Sequence, residues 1–336
     1  MARVGSSRPF REAPMTRPSI FLTRRWPASV ETELRQRYHV TLNEDDHPLS
    51  ARELKAALQA YDAVCPTVSD RIDAEVLGVE SPRCRILANY GVGVNHIDLD
   101  AAKRRGIPVT NTPDVLTGCT ADLTLTLLLM TARRAGEGER EVRGGVWTGW
   151  RPTHLLGSRV SGKTLGIIGM GRIGQAVARR AYHGFGMRIF YYHTHPLPAE
   201  TVVELAATPC ASIDELLPRC DFVSLHCPGG EKNFHLIDTE RLQRMRPGAF
   251  LINTARGEVV DTEALIVAVK QGPLGGAGLD VYENEPQVHP ELLKLDQVVL
   301  LPHLGSATVE TREAMGRRVM ANLDAFFADQ SLPDPV

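Results

Sequence analysis

The sequence predicts an α/β protein made of two doubly wound parallel-sheet domains. Short apolar runs alternate with amphipathic stretches along most of the chain, the pattern of strand–helix–strand units. A glycine-rich turn stands between a strand-like run and a helix-like run near the middle. The 336 residues also suffice for two domains, each with its own core. Net charge is −2 with acids and bases nearly balanced, so nothing points to a polyanionic partner such as nucleic acid. The longest apolar run, Leu125 to Met130, is too short to span a bilayer.

Met1 to Arg17 is rich in Arg, Ser and Pro, and its one acid is Glu12. This composition could suit a transit peptide, but it has no amphipathic period. A disordered extension over residues 1–17 is expected, with Met15 as the natural start.

From Ser19 the first domain unfolds in order. Ile20 to Thr23 reads as a strand, Val30 to Tyr38 as a helix, and Val40 to Leu42 as a second strand. Ser50 caps a helix reaching Ala60. Ala63 to Cys65, Arg85 to Ala88 and Ile107 to Thr110 continue as strands, with a helix from Leu99 to Arg105 before the last.

Thr120 to Arg134 follows as a helix apolar on most of its surface, which suits an interdomain or intersubunit position. Gly144 to Trp150 is an irregular arm with two Trp side chains that need burial, either on a partner subunit or on their own chain.

The second domain begins near Thr164. Its strands are Leu165 to Ile168, Arg188 to Tyr192, Phe222 to Leu225, Ala249 to Asn253, Ala277 to Val281 and Val298 to Leu301. Between the first strand and a helix from Gln175 to about Gly184 lies G-x-G-x-x-G at Gly169, Gly171 and Gly174. The first Gly allows a tight turn, the second a close approach by a pyrophosphate, and the third close helix–strand packing. Another helix is capped by Asp261 and stopped by Gly272. A final helix, about Thr308 to Phe327, has no sheet position left and should pack back on the first domain. The expected division is 18–118 plus 303–336 as a discontinuous, flavodoxin-like substrate domain. Residues 119–302 form a Rossmann cofactor domain carrying a dimerisation arm, with a cleft between the domains.

Strand ends in such sheets face the ligand crevice. Arg256, Glu285 and His303 each follow a predicted strand. Together they suit reduction of a 2-oxo acid: Arg pins a carboxylate or polarises a carbonyl, and His delivers the proton that hydride addition needs. A neighbouring Glu favours imidazolium. Each has an ordinary alternative, in a surface ion pair, solvated beside Pro286, or hydrogen-bonded in a loop. The six cysteines show no CxxC pair and no metal-ligand spacing, so reduced thiols in a cytoplasmic protein without a metal are expected.

These residues sit in longer motifs. They are Asn89 to Asp98 (NYGVGVNHID), Thr112 to Thr117 (TPDVLT), GMGRIG, Asn253 to Gly257 (NTARG), Gly278 to Val281 with Glu285-Pro286, and Pro302 to Thr308 (PHLGSAT). On them, and on Trp147 to Pro152, the chain from about Ser19 onward resembles the D-isomer-specific 2-hydroxyacid dehydrogenases, most of all the glyoxylate/hydroxypyruvate reductases. The resemblance implies that Arg256 binds substrate, His303 is the acid/base, and Glu285 orients and charges it. It implies too that Val92 and Gly93 N–H groups hold the substrate carboxylate, that Ser306 touches substrate, and that the protein is a homodimer. A glycine-rich loop at a strand end independently suits an anion, although a tight structural turn is the alternative. Candidate cofactor-binding residues are Gly169, Gly171, Arg172, Ile173, Gly174, His193, Thr194, Cys227, Pro228, Thr254, Ala255, Asp280, His303 and Gly305. Of these, Asp280 should meet the nicotinamide amide.

NAD sites place an acid about 20 residues past the third Gly. Here that place holds His193, with Thr194 and His195 following, and no Asp or Glu lies between Met187 and Ala199. The sequence therefore leans to NADP over NAD, although the Arg often used to clamp the ribose phosphate is missing. The expected activity is NAD(P)H-dependent reduction of glyoxylate and hydroxypyruvate to glycolate and D-glycerate. The alternatives are another D-2-hydroxy acid as substrate, or a cofactor-sensing protein of the corepressor type.

Overall fold

The computed structural model describes residues 17–336; apart from Arg17, the expected extension lies outside the described residues. The chain forms two compact units. One comprises the described residues up to Thr112 with Glu313–Val336, and the other Pro113–Arg312. The division falls after Thr112 and Arg312 rather than after 118 and 302. The segment bearing His303 is tied into the second unit: Thr120 Oγ1 donates to the Gly305 carbonyl at 2.9 Å, and His303 N donates to the Asp280 carbonyl at 3.0 Å.

The first unit runs β1 (Ser19–Leu22), α1 (Ala28–Arg37), β2 (His39–Leu42), α2 (Ala51–Ala60), β3 (Ala63–Cys65), α3 (Ala74–Leu77), β4 (Ile86–Ala88), α4 (Leu99–Arg104) and β5 (Val109–Thr110). The sheet order is β2-β1-β3-β4-β5 and every pairing is parallel, the flavodoxin-like order. β3 and β4 are buried at every residue, as strands covered on both faces must be. Ser50 and Glu53 form a capping box on α2.

The second unit begins with α5 (Thr117–Ala132) and α6 (Ala135–Arg143). It continues β6 (Thr164–Ile168), α7 (Arg172–Phe185), β7 (Arg188–Tyr192), α8 (Ala199–Glu204), β8 (Ala207–Pro209), α9 (Ile213–Leu216) and β9 (Phe222–Leu225). After these come α10 (Thr239–Arg244), β10 (Ala249–Asn253), α11 (Thr262–Lys270), β11 (Leu274–Leu279), β12 (Val298–Leu300) and α12 (Val309–Phe327). From Glu313 onward, α12 belongs to the first unit. There Gly316 lets it cross α1 closely, since a Cβ would stand 2.6 Å from Val30 Cγ1.

The second sheet has seven parallel strands, ordered β12-β11-β10-β9-β6-β7-β8. Alternation along each strand builds two cores, one per face. Leu165, Ile167, Phe250 and Ile252 join the core shared with α5 and α7. Ile168, Leu251 and Leu279 join the opposite one. Much of the apolar surface of α5 is thus covered within its own unit.

Three readings of the sequence need correction. β8 is a seventh strand that the sequence does not announce, because Ala207-Thr208-Pro209 has no apolar run. Nor does it announce α6, which has no buried residue. β11 starts at Leu274, because Gly275 and Gly276 hide the strand from a reading based on apolar runs.

Candidate active site

The strand order reverses between β6 and β9, where such sheets bind ligands. The glycine turn leaves β6 at this point. Gly169 has φ +96, and a Cβ there would meet the Cys227 N at 2.6 Å. Gly174 presses α7 on the turn, since its Cβ would lie 2.3 Å from the Gly169 carbonyl oxygen. A Cβ on Gly171, by contrast, meets nothing within 4 Å. Gly171 is also the N-cap of α7 and makes no side-chain cap. A bare backbone and an uncapped helix terminus fit a pyrophosphate. Arg172 pairs with Asp114 at 2.7 Å, both largely exposed, and Ile173 packs on the α5–α7 core.

Across the reversal, β9 leads into His226, Cys227 and Pro228. Burial pushes the His226 imidazole down to about 3 and the Cys227 thiol up to about 11. His226 is therefore neutral and shares a 2.8 Å hydrogen bond with Ser224 Oγ. Beyond β7, the His193 and His195 rings lie 6.3 Å apart, with Thr194 Oγ1 3.1 Å from His195 Nδ1. Burial, then the His195 charge, lower the His193 pKa.

Arg256, Glu285 and His303 follow β10, β11 and β12. Asn253 shapes the first loop: its Oδ1 accepts from Ala255 N at 3.0 Å and its Nδ2 donates to the Arg256 carbonyl at 2.8 Å. Thr254 Oγ1 meets Thr124 Oγ1 at 2.9 Å. Burial lowers the pKa of the Arg256 guanidinium, while Glu285 and Glu258 raise it. Gly257 locks this loop to the next, because a Cβ would stand 1.9 Å from the Tyr282 carbonyl carbon.

In the second loop, Glu285 Oε1 accepts from Tyr282 N at 3.0 Å, and Oε2 lies 2.7 Å from His303 Nδ1. Burial alone would raise this carboxyl. The His303 hydrogen bond and charge, the Tyr282 N–H and the Arg256 charge instead hold it below the usual range. The third loop turns at His303, with φ +54. Asp280, almost fully buried, fixes that turn by accepting from Leu304 N at 2.6 Å and Gly305 N at 2.8 Å. Burial raises its pKa against these donors. Ser306 is half-buried on the same loop. A cavity of about 230 Å³ touches Gly257, Tyr282 and Glu283 but none of the three expected catalytic side chains.

In the first unit, the carbonyls of Gly91, Val92 and Gly93 are all held. Asn89 Nδ2 donates to Gly91 O (3.0 Å) and Gly93 O (3.1 Å), and Asn111 Nδ2 to Val92 O (2.9 Å). In a trans peptide the N–H points opposite its carbonyl. The N–H groups of Val92, Gly93 and Val94 are therefore turned away from these amides, an arrangement that suits an anion.

Residues 125–305 match the family model for the NAD binding domain of D-isomer specific 2-hydroxyacid dehydrogenases. The chain is 48% identical over 314 residues to a glyoxylate reductase of Thermococcus onnurineus, covering 92% of this chain and 93% of that one. The chain belongs to the D-isomer specific 2-hydroxyacid dehydrogenases. A glyoxylate reductase of Pyrococcus furiosus is 47% identical over 315 residues, covering 92% of each chain. Among solved structures, an NADPH-dependent glyoxylate/hydroxypyruvate reductase from Sinorhizobium meliloti, in complex with NADP and malonate, superposes with a TM-score of 0.84. It is 34% identical, with 96% of this chain and 97% of that one covered.

The structure of this dehydrogenase also gives roles that the sequence does not show. Asn253, Gly257 and Tyr282 shape the loops through backbone contacts, which leave no pattern in side-chain chemistry. Among the described residues, no helix is long and apolar enough to cross a membrane.

Proposed function

We propose that this dehydrogenase reduces glyoxylate and hydroxypyruvate to glycolate and D-glycerate, with Arg256, Glu285 and His303 as its catalytic residues. The 2.7 Å contact between Glu285 and His303 carries this reading, because it fits an imidazole held by one nitrogen to present the other. The bound nicotinamide supplies the hydride. His303 holds a proton at Nε2 and gives it to the substrate's carbonyl oxygen, completing the hydroxyl. Glu285 fixes the ring through Nδ1 and stabilises the imidazolium. Arg256 binds the 2-oxo acid through its planar fork, and the Val92 and Gly93 N–H groups take the carboxylate. Ser306 contacts the substrate, and Asp280, which holds the His303 loop, would also hold the amide of a bound nicotinamide.

The preferred cofactor is NADPH. No Asp or Glu lies between Met187 and Ala199 to repel a ribose phosphate, and His193, Thr194 and His195 offer donors to it. The protein works as a homodimer, since Trp147 (53% exposed) and Trp150 (83%) stand uncovered on the arm after α6. Its compartment is the cytoplasm, in keeping with six free cysteines.

The test is NADPH and NADH oxidation by purified protein against glyoxylate, hydroxypyruvate, pyruvate and bulkier 2-oxo acids. The proposal expects the first two substrates to give the highest kcat/KM. Activity confined to the bulkier acids would refute it.

A further inference from the structure

His235 has no part in the chemistry proposed above, yet it ties its own segment beyond β9 to two loops that do. It follows Phe234, whose ring stacks on it at 4.0 Å and 15°, and it adopts φ +49. Its N–H donates to the Glu258 carbonyl at 2.8 Å, and its Nε2 is hydrogen-bonded to Glu283 Oε1. On the other side of the ring, Nδ1 faces Asp261 Oδ2 at 3.7 Å. The Glu258 carboxylate accepts in turn from Gly230 N at 2.6 Å.

One side of this clamp is the segment that leaves β9 through Cys227 and Pro228. The other is the pair of loops already pressed together at Gly257 and Tyr282. Arg256 directly precedes Gly257, and Glu285 stands two residues beyond Glu283. The His235–Glu283 contact is partly buried, with side chains 32% and 21% exposed.

We propose that His235 is a positioning residue. By holding Glu283 and the Glu258 backbone together, it sets the geometry in which Arg256 and Glu285 are presented. This rests on the assignment of Arg256, Glu285 and His303 given above. A displacement of about 1 Å at reacting groups costs up to about 10²-fold in rate, so loosening the clamp should reach turnover before it reaches cofactor binding.

The experiment compares His235→Ala, His235→Gln, Glu283→Ala, the His235→Ala/Glu283→Ala double variant and His303→Gln. For each, kcat and KM for glyoxylate, NADPH Kd by fluorescence, and Tm are measured. His235→Ala should lose about tenfold or more in kcat, with NADPH Kd within threefold of wild type. Glu283→Ala should match it, and the double variant should be no worse than either single, since both remove one interaction. His235→Gln, which keeps an N–H donor, should recover most of the rate, and it decides the matter if the Ala variant does not fold. A His235→Ala kcat within twofold of wild type, multiplying losses in the double variant, or no recovery with Gln would overturn the proposal. Retained turnover in His303→Gln would instead overturn the underlying catalytic assignment, whatever His235→Ala does.

Discussion

Glu285 Oε2 and His303 Nδ1 stand 2.7 Å apart, joining the loops that follow β11 and β12. The carboxyl is held below its usual range against the opposing pull of burial. A group so lowered adds stability above its unfolded pKa, about 4.3 for Glu, and loses it as pH falls through the lowered folded value. Glu285→Gln should therefore lower Tm at pH values above about 5. The gap should narrow as pH falls below about 4. Thermal melts of both proteins across this range check it; a gap that widens in acid contradicts it.

Two glycines should respond oppositely to the same added methyl group. At Gly257 a Cβ meets the rigid backbone of Tyr282 and Glu283 at 1.9–2.3 Å. Gly257→Ala should cost about 1–3 kcal/mol or more in urea unfolding and most of the activity. At Gly171 a Cβ meets open space, so Gly171→Ala should keep its Tm. NADPH Kd should nevertheless rise about tenfold or more, because the methyl group stands where the pyrophosphate approaches.

Placing an acid beyond β7 should reverse the cofactor preference. His193→Asp supplies a carboxylate for the ribose hydroxyls and repels a ribose phosphate. The ratio of kcat/KM for NADPH over NADH should fall by about one to two orders of magnitude, the size of a repulsion of about 1.4–2.8 kcal/mol. An unchanged ratio would remove His193 from the cofactor site.

The exposed tryptophans give a solution test. Trp147→Ser/Trp150→Ser should move the protein from dimer to monomer in light scattering, with Tm measured alongside. A wild-type monomer, or a variant that remains dimeric, would leave the arm without its proposed partner.

Most of the architecture was legible because both cores follow simple periods. Short apolar runs such as Ala63–Cys65 and Leu165–Ile168 read as strands covered on both faces, and the glycine spacing marks the start of the second sheet. Short elements without an apolar run were not legible. Ala207–Pro209 owes its strand pairing to β7 rather than to its own composition. At the site, the three charged side chains announced themselves at strand ends. The clamps did not, because Asn253 acts on backbone groups of its own loop, and Gly257 and Asp280 on those of distant segments. The sequence reads Asp280 as a cofactor contact, whereas in the structure its two oxygens accept from the Leu304 and Gly305 N–H groups.

The central claim is that His303 hands a proton to the substrate's carbonyl oxygen. It is tested most directly by single-turnover NADPH oxidation with glyoxylate in His303→Gln, alongside NADPH binding to the same variant. The account predicts a rate lowered by about 10²–10⁴-fold with NADPH Kd within a few-fold of wild type. A rate within a few-fold of wild type at unchanged Kd would contradict it.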